Sequence, residues 1–217
     1  MKKLLALLFV CLIGIGSASA QDLRFEGVAG LNISNMGYSY KAGFHAGARM
    51  EISLDCVTEG FYANGGALLS LKGYRIDWGF AKNIANAYSL ELPVHAGFRY
   101  SFNDTFAIFG EAGPYIGIGL FGKDKAKFNI SSDDEIDGYS TIEIEYDDNG
   151  KTFDSIRRFD FGIGLRTGVE FLQKYSVSFG YDQGLVNLNR YIDRGDETIH
   201  FGVMRNINFY FALGYKF

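Results

Sequence analysis

Cysteine and proline are scarce in this chain of 217 residues, which contains two of each. Cys11 falls in an apolar N-terminal stretch that we expect to be removed, so Cys56 would be the single thiol of the mature protein. A single thiol cannot form an intramolecular disulfide, which excludes a fold held together by a disulfide framework.

Apolar runs of membrane-spanning length are also lacking, which excludes a membrane protein built from helices. The N-terminal apolar run, residues 4–15, is too short to span a bilayer. It follows two lysines and precedes Ala18-Ser19-Ala20, a pattern typical of a secretory signal peptide. We therefore predict a cleaved signal peptide over residues 1–20. A lipid anchor on Cys11 is rejected because Val10 is bulky where a small residue is needed.

Charged tails and low-complexity linkers are missing too, and the formal net charge is only −4. Without a basic tail or patch, the sequence gives no indication of nucleic-acid binding. Its length and even composition favour one β domain over residues 21–217.

Strict alternation is what the chain has in abundance. Eight stretches alternate apolar residues with small or polar ones, a period of two that places successive side chains on opposite faces of a strand. They cover residues 23–33, 44–54, 61–72, 88–101, 106–120, 159–171, 175–182 and 207–217. In the last stretch the apolar face is continuous from Ile207 to the C-terminal Phe217. Such a wall would aggregate in a soluble protein, whereas in a transmembrane barrel it faces lipid.

The opposite face separates a barrel in lipid from a soluble β-sandwich. A sandwich would carry many lysines, threonines and glutamates there, whereas this face combines glycine with isolated charges of both signs. An eight-stranded barrel has an interior just wide enough to be filled by side chains. The predicted internal ion network consists of Glu26, Arg49, Glu51, Lys72, Glu91, Arg99, Glu111, Asp160, Arg166, Glu170 and Asp182. A lipocalin-like barrel is rejected because its apolar residues would point inward.

The connections alternate in length. Residues 55–59, 103–104 and 173–174 are short, whereas 35–39, 76–85, 122–157 and 189–204 are mostly longer. Together with the even strand count, this predicts an all-β fold, a closed antiparallel eight-stranded transmembrane β-barrel with short periplasmic turns and long extracellular loops. Interfacial aromatic girdles are predicted from Phe102, Phe106, Phe171, Tyr175 and Phe217 beside the turns, and from Tyr40, Tyr74, Trp78 and Tyr88 beside the loops. We expect local bulges at Pro93 and Pro114, since proline removes a ladder hydrogen bond.

Several motifs carry a resemblance to a known family. Tyr-Ser-Leu-Glu-Leu-Pro-Val at residues 88–94 and Phe-Gly-Tyr-Asp-Gln-Gly-Leu-Val-Asn-Leu at 179–188 resemble strands of the PorT-type, porin-family outer-membrane β-barrels, as do residues 30–34 and 205–217. The resemblance implies a place in the cell outer membrane among its lipids. It also implies that the barrel-assembly machinery reads the terminal strand ending at Phe217. The family has no shared catalytic residues, and secretion-system assembly is a role of some members.

Three histidines and two acidic stretches are candidate sites of chemistry. His45 and His95 fall on the inward face and His200 in the last long loop, and none has a nucleophile partner, so we predict no enzyme and no catalytic, cofactor-binding or metal residue. The acidic run at residues 133–138 lacks the glutamate that a calcium loop requires at its twelfth position and is interpreted as a solvated turn. Residues 147–150, Asp-Asp-Asn-Gly, are also interpreted as a turn.

The long connection 122–157 contains two alternating segments, residues 127–131 and 141–146, which predict a hairpin above the membrane. Two interpretations remain open: an extension that stiffens the rim, or an exposed strand edge that pairs with another protein. The function predicted from the sequence is a surface-exposed structural or interaction protein acting through its long loops, notably 122–157. The alternative is a narrow channel for small solutes or ions.

Overall fold

A computed structural model describes residues 23–37, 39–54, 57–77, 81–131, 141–149, 152–189, 193–194, 197–198 and 203–217. The elements within these ranges are β1 (Leu23–Asn35), β2 (Lys41–Ser53), β3 (Phe61–Asp77), β4 (Ala81–Ser101), β5 (Phe106–Ser131), β6 (Thr141–Asn149), α1 (Thr152–Ser155), β7 (Phe159–Phe171), β8 (Tyr175–Gly184), β9 (Asp193–Arg194), β10 (Glu197–Thr198) and β11 (Ile207–Lys216). No helix in these ranges is long and apolar enough to cross a membrane. The predicted signal peptide, residues 1–20, lies outside them.

Eight strands close into a ring in which every neighbouring pair is antiparallel. The order around the ring is β1, β2, β3, β4, β5, β7, β8 and β11. Closure joins the two ends of the chain, because β11 pairs with β1 in a register that runs from Glu26–Lys216 to Asn35–Ile207. This confirms the predicted closed eight-stranded antiparallel barrel. We call the end with the connections 54–60, 102–105 and 172–174 the turn rim, and the opposite end the loop rim.

The two faces of the barrel differ as the alternation predicts. On β1, Phe25 and Leu31 are 53% and 70% exposed on the outside, whereas Glu26 and Asn32 are buried inside. The other strands of the ring repeat this arrangement, so the outer surface is an apolar belt and the interior is largely polar. The apolar residues of each alternating stretch therefore lie on the outer face of the barrel. The polar side chains on the other face form hydrogen bonds with one another within a narrow interior.

Three neighbouring strands extend well beyond the ring at the loop rim. β3, β4 and β5 contain 17, 21 and 26 residues, whereas β8 and β11 contain 10 each. The predicted loop at 76–85 is therefore wrong for residues 76–77 and 81–85, since Asp77 pairs with Lys82 and Tyr74 with Ala85 in a continuing ladder, and residues 78–80 lie outside the described residues. Hydrogen bonding to β5 on the other edge of β4 extends these strands past the point where the apolar alternation weakens.

The predicted bulges at the two prolines are also wrong. Pro93 lies opposite Tyr115 and, further along, Ala96 lies opposite Ala112, so the register of β4 and β5 keeps the same offset past both prolines. A proline removes a donor but adds no residue to a strand, so it does not by itself force a register shift. The register shift falls between Tyr88 and Ser89 instead, opposite an additional β5 residue at position 120.

The predicted hairpin in the 122–157 connection is confirmed. β6 pairs with the end of β5 from Lys123–Asn149 to Ser131–Thr141. The turn predicted at 147–150 is wrong for residues 147–149, because the ladder with β5 continues through them. The register sets Lys125 opposite Asp147 and Asp124 opposite Asp148, so the backbone pairing with β5 prevails here over the local turn preference. The acidic run 133–138 lies outside the described residues.

The aromatic girdle at the turn rim is present. The Phe106 ring centroid lies 5.5 Å from that of Phe102 and 5.3 Å from that of Phe171, and Phe217 is 82% exposed beside Tyr215. Tyr40 is exposed at the loop rim and Tyr88 stacks on Phe121 with their centroids 4.6 Å apart. The prediction that Tyr74 belongs to the girdle at the loop rim is wrong, since its side chain is only 7% exposed and lies inside the barrel. Tyr74 is two residues from Lys72 on the same strand and therefore shares its inner face. Trp78 is outside the described residues.

Candidate functional site

Glu111 organises the centre of the barrel interior. Its Oε1 accepts hydrogen bonds from Arg49 Nη1 at 2.8 Å and Arg166 Nη1 at 3.3 Å, and the Tyr62 hydroxyl donates to its Oε2 at 3.2 Å. Arg166 also donates from Nη2 to both carboxylate oxygens of Glu26, at 3.0 and 3.1 Å. A buried ion costs several kcal/mol unless it is paired, so two carboxylates sharing two guanidinium groups leave this centre close to neutral.

A second group of ions, the turn-rim cluster, lies between this centre and the turn rim. Arg99 binds Glu51 through Nη1 and Nη2 at 2.7 and 2.5 Å, and its Nε lies 3.1 Å from Glu170. Lys216 donates to Glu51 at 3.1 Å and to Glu170 at 2.6 Å. Arg24 lies 3.8 Å from Glu170, with its side chain 39% exposed. Each carboxylate of the cluster therefore faces at least two cations.

On the loop-rim side of the centre, the ions are joined by neutral polar groups. Lys72 forms a close ion pair with Glu91, which also accepts a hydrogen bond from the Ser70 hydroxyl at 2.8 Å. The Tyr115 hydroxyl donates to Asp160 at 2.9 Å. Hydroxyl donors thus satisfy carboxylate oxygens that the single lysine does not.

Inward aromatic rings fill the space between these ions by lying across glycines of the neighbouring strand. Tyr62 is opposite Gly97, and Tyr210 is opposite Gly180. A Cβ on Gly97 would lie 2.4 Å from the Tyr62 ring, and a Cβ on Gly180 would lie 2.0 Å from the Tyr210 ring. These two glycines are therefore needed for close packing, and their presence lets the rings occupy the interior.

An apolar cluster, which we call the lid, closes the interior at the loop rim. It consists of Met36, Tyr74, Ala85, Ala87, Phe153, Ile156, Leu188 and Met204. Helix α1 places Phe153 over β5. The ring of Phe153 fills the space beside Gly119, because a Cβ on Gly119 would lie only 2.2 Å from it. Arg158 fastens this segment to β5 by donating to the Leu120 carbonyl at 2.7 Å while its guanidinium lies 4.7 Å from the Phe153 ring. The connection after β6 therefore folds back into the barrel mouth.

The cavities inside the barrel are small. One of about 10 Å³ lies near His45, Arg49 and His95, and one of about 20 Å³ lies beneath the lid beside Lys72. Each has room for about one water molecule. A recess of about 440 Å³ lies at the turn rim, and Arg24 is among its lining residues. The interior is thus open towards the turn rim and filled from the turn-rim cluster to the lid.

From the level of the lid outwards, four strands continue as one sheet, which we call the sheet extension. It comprises residues 74–77 of β3, 81–87 of β4, 122–131 of β5 and all of β6. In this part β5 is paired on both edges, with β4 on one side and β6 on the other. Within the described ranges, β6 pairs with a strand on its β5 side alone. Among the described residues, the extension therefore ends in an edge strand, β6.

All of the predicted internal ions lie on the inner face, and Arg24 and Lys216 join them although the prediction omitted both. Their parity with Glu26 and Tyr210 was the signal that could have identified them. The His45 ring meets the Tyr210 ring edge-on at 5.0 Å, and His95 Nδ1 lies 3.5 Å from Glu111. Among the described residues, no group of three or more metal-ligating side chains comes together. His200 is outside them.

A comparison with models of protein families agrees with this architecture. A family model described as an outer membrane protein beta-barrel domain matches residues 14–190. Neisserial surface protein A (NspA) is similar in structure with a TM-score of 0.46 and 10% identity, over 90% of this chain and 97% of that chain. The outer membrane protein OprG from Pseudomonas aeruginosa has a TM-score of 0.48 and 9% identity, over 90% and 96% of the two chains. Ail, the attachment invasion locus protein of Yersinia pestis, has a TM-score of 0.41 and 12% identity, over 90% and 99%. No curated protein sequence matches the chain.

Proposed function

The chain belongs to the outer membrane protein β-barrel domain family and lies in the cell outer membrane among its lipids, and from this premise we propose that it is a surface-exposed interaction protein. The observation that carries the proposal is the sheet extension, which ends in the edge strand β6 above the lid. We assign the turn rim to the periplasm and the loop rim to the cell exterior, so that the extension faces the surroundings of the cell.

The filled interior supports interaction over the narrow-channel alternative. A solute path along the barrel axis would have to pass the turn-rim cluster, the paired ions around Glu111 and the lid. Breaking one buried ion pair costs about 3–5 kcal/mol, and the two small interior cavities have room for about one water molecule each. The interior is therefore suited to stabilising the barrel rather than to conducting solutes.

The environment of the described histidines supports a role without catalysis. His45 and His95 are 4% and 3% exposed, and both contact other interior side chains. A general base must reach the proton that it removes from a substrate, which these buried rings do not do in this arrangement. We therefore propose that the protein acts by binding and not as an enzyme.

Membership of the PorT-type branch and recognition by the barrel-assembly machinery are finer parts of the proposal. The motifs at 88–94 and 179–188 support the branch. Phe217 supports the recognition, because its side chain is exposed at the turn rim while its backbone N–H donates to the Phe25 carbonyl at 2.9 Å. Deleting Phe217 should lower the amount of folded, heat-modifiable protein in the membrane more than Tyr40→Ala, which removes an exposed aromatic at the other rim. Equal amounts from both variants would reject Phe217 as an assembly signal.

Surface labelling tests the orientation and the exposure of the extension. Starting from a Cys56→Ser background, Ser131→Cys at the end of β5 should react with a membrane-impermeant maleimide in intact cells. Thr105→Cys, in an exposed turn at the turn rim, is the matched control and should react only after the outer membrane is permeabilised. Labelling of Thr105→Cys alone in intact cells would reverse the orientation and remove the basis for a surface role.

Conductance in a planar bilayer tests the channel alternative. We expect the purified protein to give no stable solute-permeable pore, because the interior is filled by ion pairs and the lid. Stable openings of that kind in folded, heat-modifiable protein would favour the channel.

A further inference from the structure

We infer that β6 binds an extended basic segment of a partner protein, which adds to the sheet extension as a further strand. The inference rests on the proposed surface role and names the chemistry of the partner. Three features support it: the open edge of β6, the charges along this strand and the register that β6 forms with β5.

The edge of β6 is built to accept another strand. All nine residues of β6 pair with β5, while the opposite edge of β5 is occupied by β4 from Ala81–Phe128 to Ala87–Gly122. Among the described residues, no strand pairs with the outer edge of β6. An edge strand offers a row of backbone N–H and C=O groups that an extended chain can match. The sheet extension can therefore grow at β6.

The residues along β6 select a basic partner. Glu143, Glu145 and Asp147 occupy alternate positions, and β6 contains no lysine or arginine. β5 carries lysines at the alternate positions 123, 125 and 127, and the register sets Lys127 opposite Glu145 and Lys125 opposite Asp147, while Asp124 faces Asp148. Opposite charges in directly facing positions stabilise a strand pair. A partner with basic residues at alternate positions would repeat on the open edge the pairing that β5 makes.

The same charges argue against a second copy of this chain as the occupant. When two β6 strands pair antiparallel about Glu145, Glu143 of each strand faces Asp147 of the other. Like charges in directly facing positions destabilise a strand pair. Charged residues on an edge strand are also a common means of preventing self-association. The charge pattern therefore disfavours self-pairing in this register while it favours a basic strand.

A peptide with the sequence of residues 123–131, Lys-Asp-Lys-Ala-Lys-Phe-Asn-Ile-Ser, is the probe. Its binding to the full-length protein in lipid nanodiscs can be measured by fluorescence anisotropy. We expect saturable binding, and about tenfold weaker binding by a control peptide in which the three lysines are replaced by glutamate. No binding by the lysine peptide, or equal binding by both peptides, would overturn the inference.

Backbone methylation separates strand addition from simple charge attraction. An extended chain directs alternate backbone N–H groups towards one neighbour. Two versions of the probe, N-methylated at odd or at even positions, should therefore differ, one binding like the parent and the other losing binding. Equal affinities of the two versions would show that the acidic residues act only as a charged patch and would overturn strand addition.

A pair of protein variants locates the site. Glu143→Lys reverses the charge of one of the three alternate acidic residues of β6. Glu143 lies opposite Asn129, so the change does not remove a charge pair with a β5 lysine. We expect it to weaken probe binding about fivefold. Asp104→Lys makes the same charge change at the turn rim and should leave binding unchanged. Equal losses in both heat-modifiable variants would overturn the assignment to β6. Failure of surface labelling at position 131 would instead reject the proposed function itself.

Discussion

The two ends of the barrel interior are closed by different means. Near the turn rim, Arg99 and Lys216 bind Glu51 and Glu170 in an ion cluster whose members all come from strands of the ring. At the loop rim, the lid gathers apolar side chains partly from connecting segments, with Phe153 on α1. The ion cluster is therefore part of the barrel wall, whereas part of the lid is an addition to it. Damage to the ions should unfold the barrel, and damage to the lid should loosen the mouth alone.

The largest effect is expected from Arg166→Leu. This change leaves Glu26 without its guanidinium partner and removes one of the two guanidinium groups on Glu111. Removing one partner of a buried pair costs about 3–5 kcal/mol, so the free energy of unfolding should fall by about that amount. Urea unfolding in bilayers measures it, with Arg205→Leu at an exposed position as the control. Equal stability of the two variants would mean that the central ions do not support the barrel wall.

Phe153→Ala should act on the lid and spare the barrel. Loss of a buried phenylalanine side chain removes about 3 kcal/mol of packing, here from a segment outside the ring. We expect faster proteolysis within residues 150–158 and an almost unchanged urea midpoint for the barrel. Cooperative loss of the whole barrel in this variant would show that the lid and the wall form one unit, and the contrast between the two ends would fail.

Arg99→Leu should have a smaller effect than Arg166→Leu, although it also removes a lumen guanidinium. Lys216 continues to bind both Glu51 and Glu170, so neither carboxylate is left alone. Hydrogen bonds to charged groups contribute about 1.5–3 kcal/mol, and we expect a loss of about 2 kcal/mol in urea unfolding. A loss as large as that of Arg166→Leu would indicate that the turn-rim cluster is as closed to solvent as the centre.

Leu92→Val should be nearly silent. Leu92 lies on the outer face of β4, seven residues before Arg99 and with the opposite parity. Lipid tails are as apolar as leucine, so removing one methylene there should change the free energy of unfolding by no more than about 0.5 kcal/mol. A severe loss in Leu92→Val beside a neutral Arg99→Leu would invert the assignment of the inner and outer faces of β4.

The sequence predicted what depends on parity and missed what depends on geometry across the barrel. Glu26, Arg49 and Glu111 were assigned inward because alternation alone decides the face of a strand residue. Their partners were not predictable in this way, since Arg49 on β2 reaches Glu111 on β5, which is not a neighbouring strand. The lid was missed because α1 and Phe153 lie in the part of the long connection that follows its two alternating segments and has no periodicity of its own. The prediction of bulges at Pro93 and Pro114 was wrong because the loss of one backbone hydrogen-bond donor does not shift the register of β4 and β5.

The pairing of β1 with β11 also has a kinetic consequence. These are the first and the last strands of the ring along the chain, yet they share a register from Glu26–Lys216 to Asn35–Ile207. Contacts between residues so far apart in the chain form slowly, because loop closure must be achieved before the contacts are gained. Until β11 docks, β1 and β8 each present an unpaired edge. The ring is thus completed by the strand of the ring that comes last along the chain, and a chain truncated before Ile207 would be an open sheet rather than a smaller barrel.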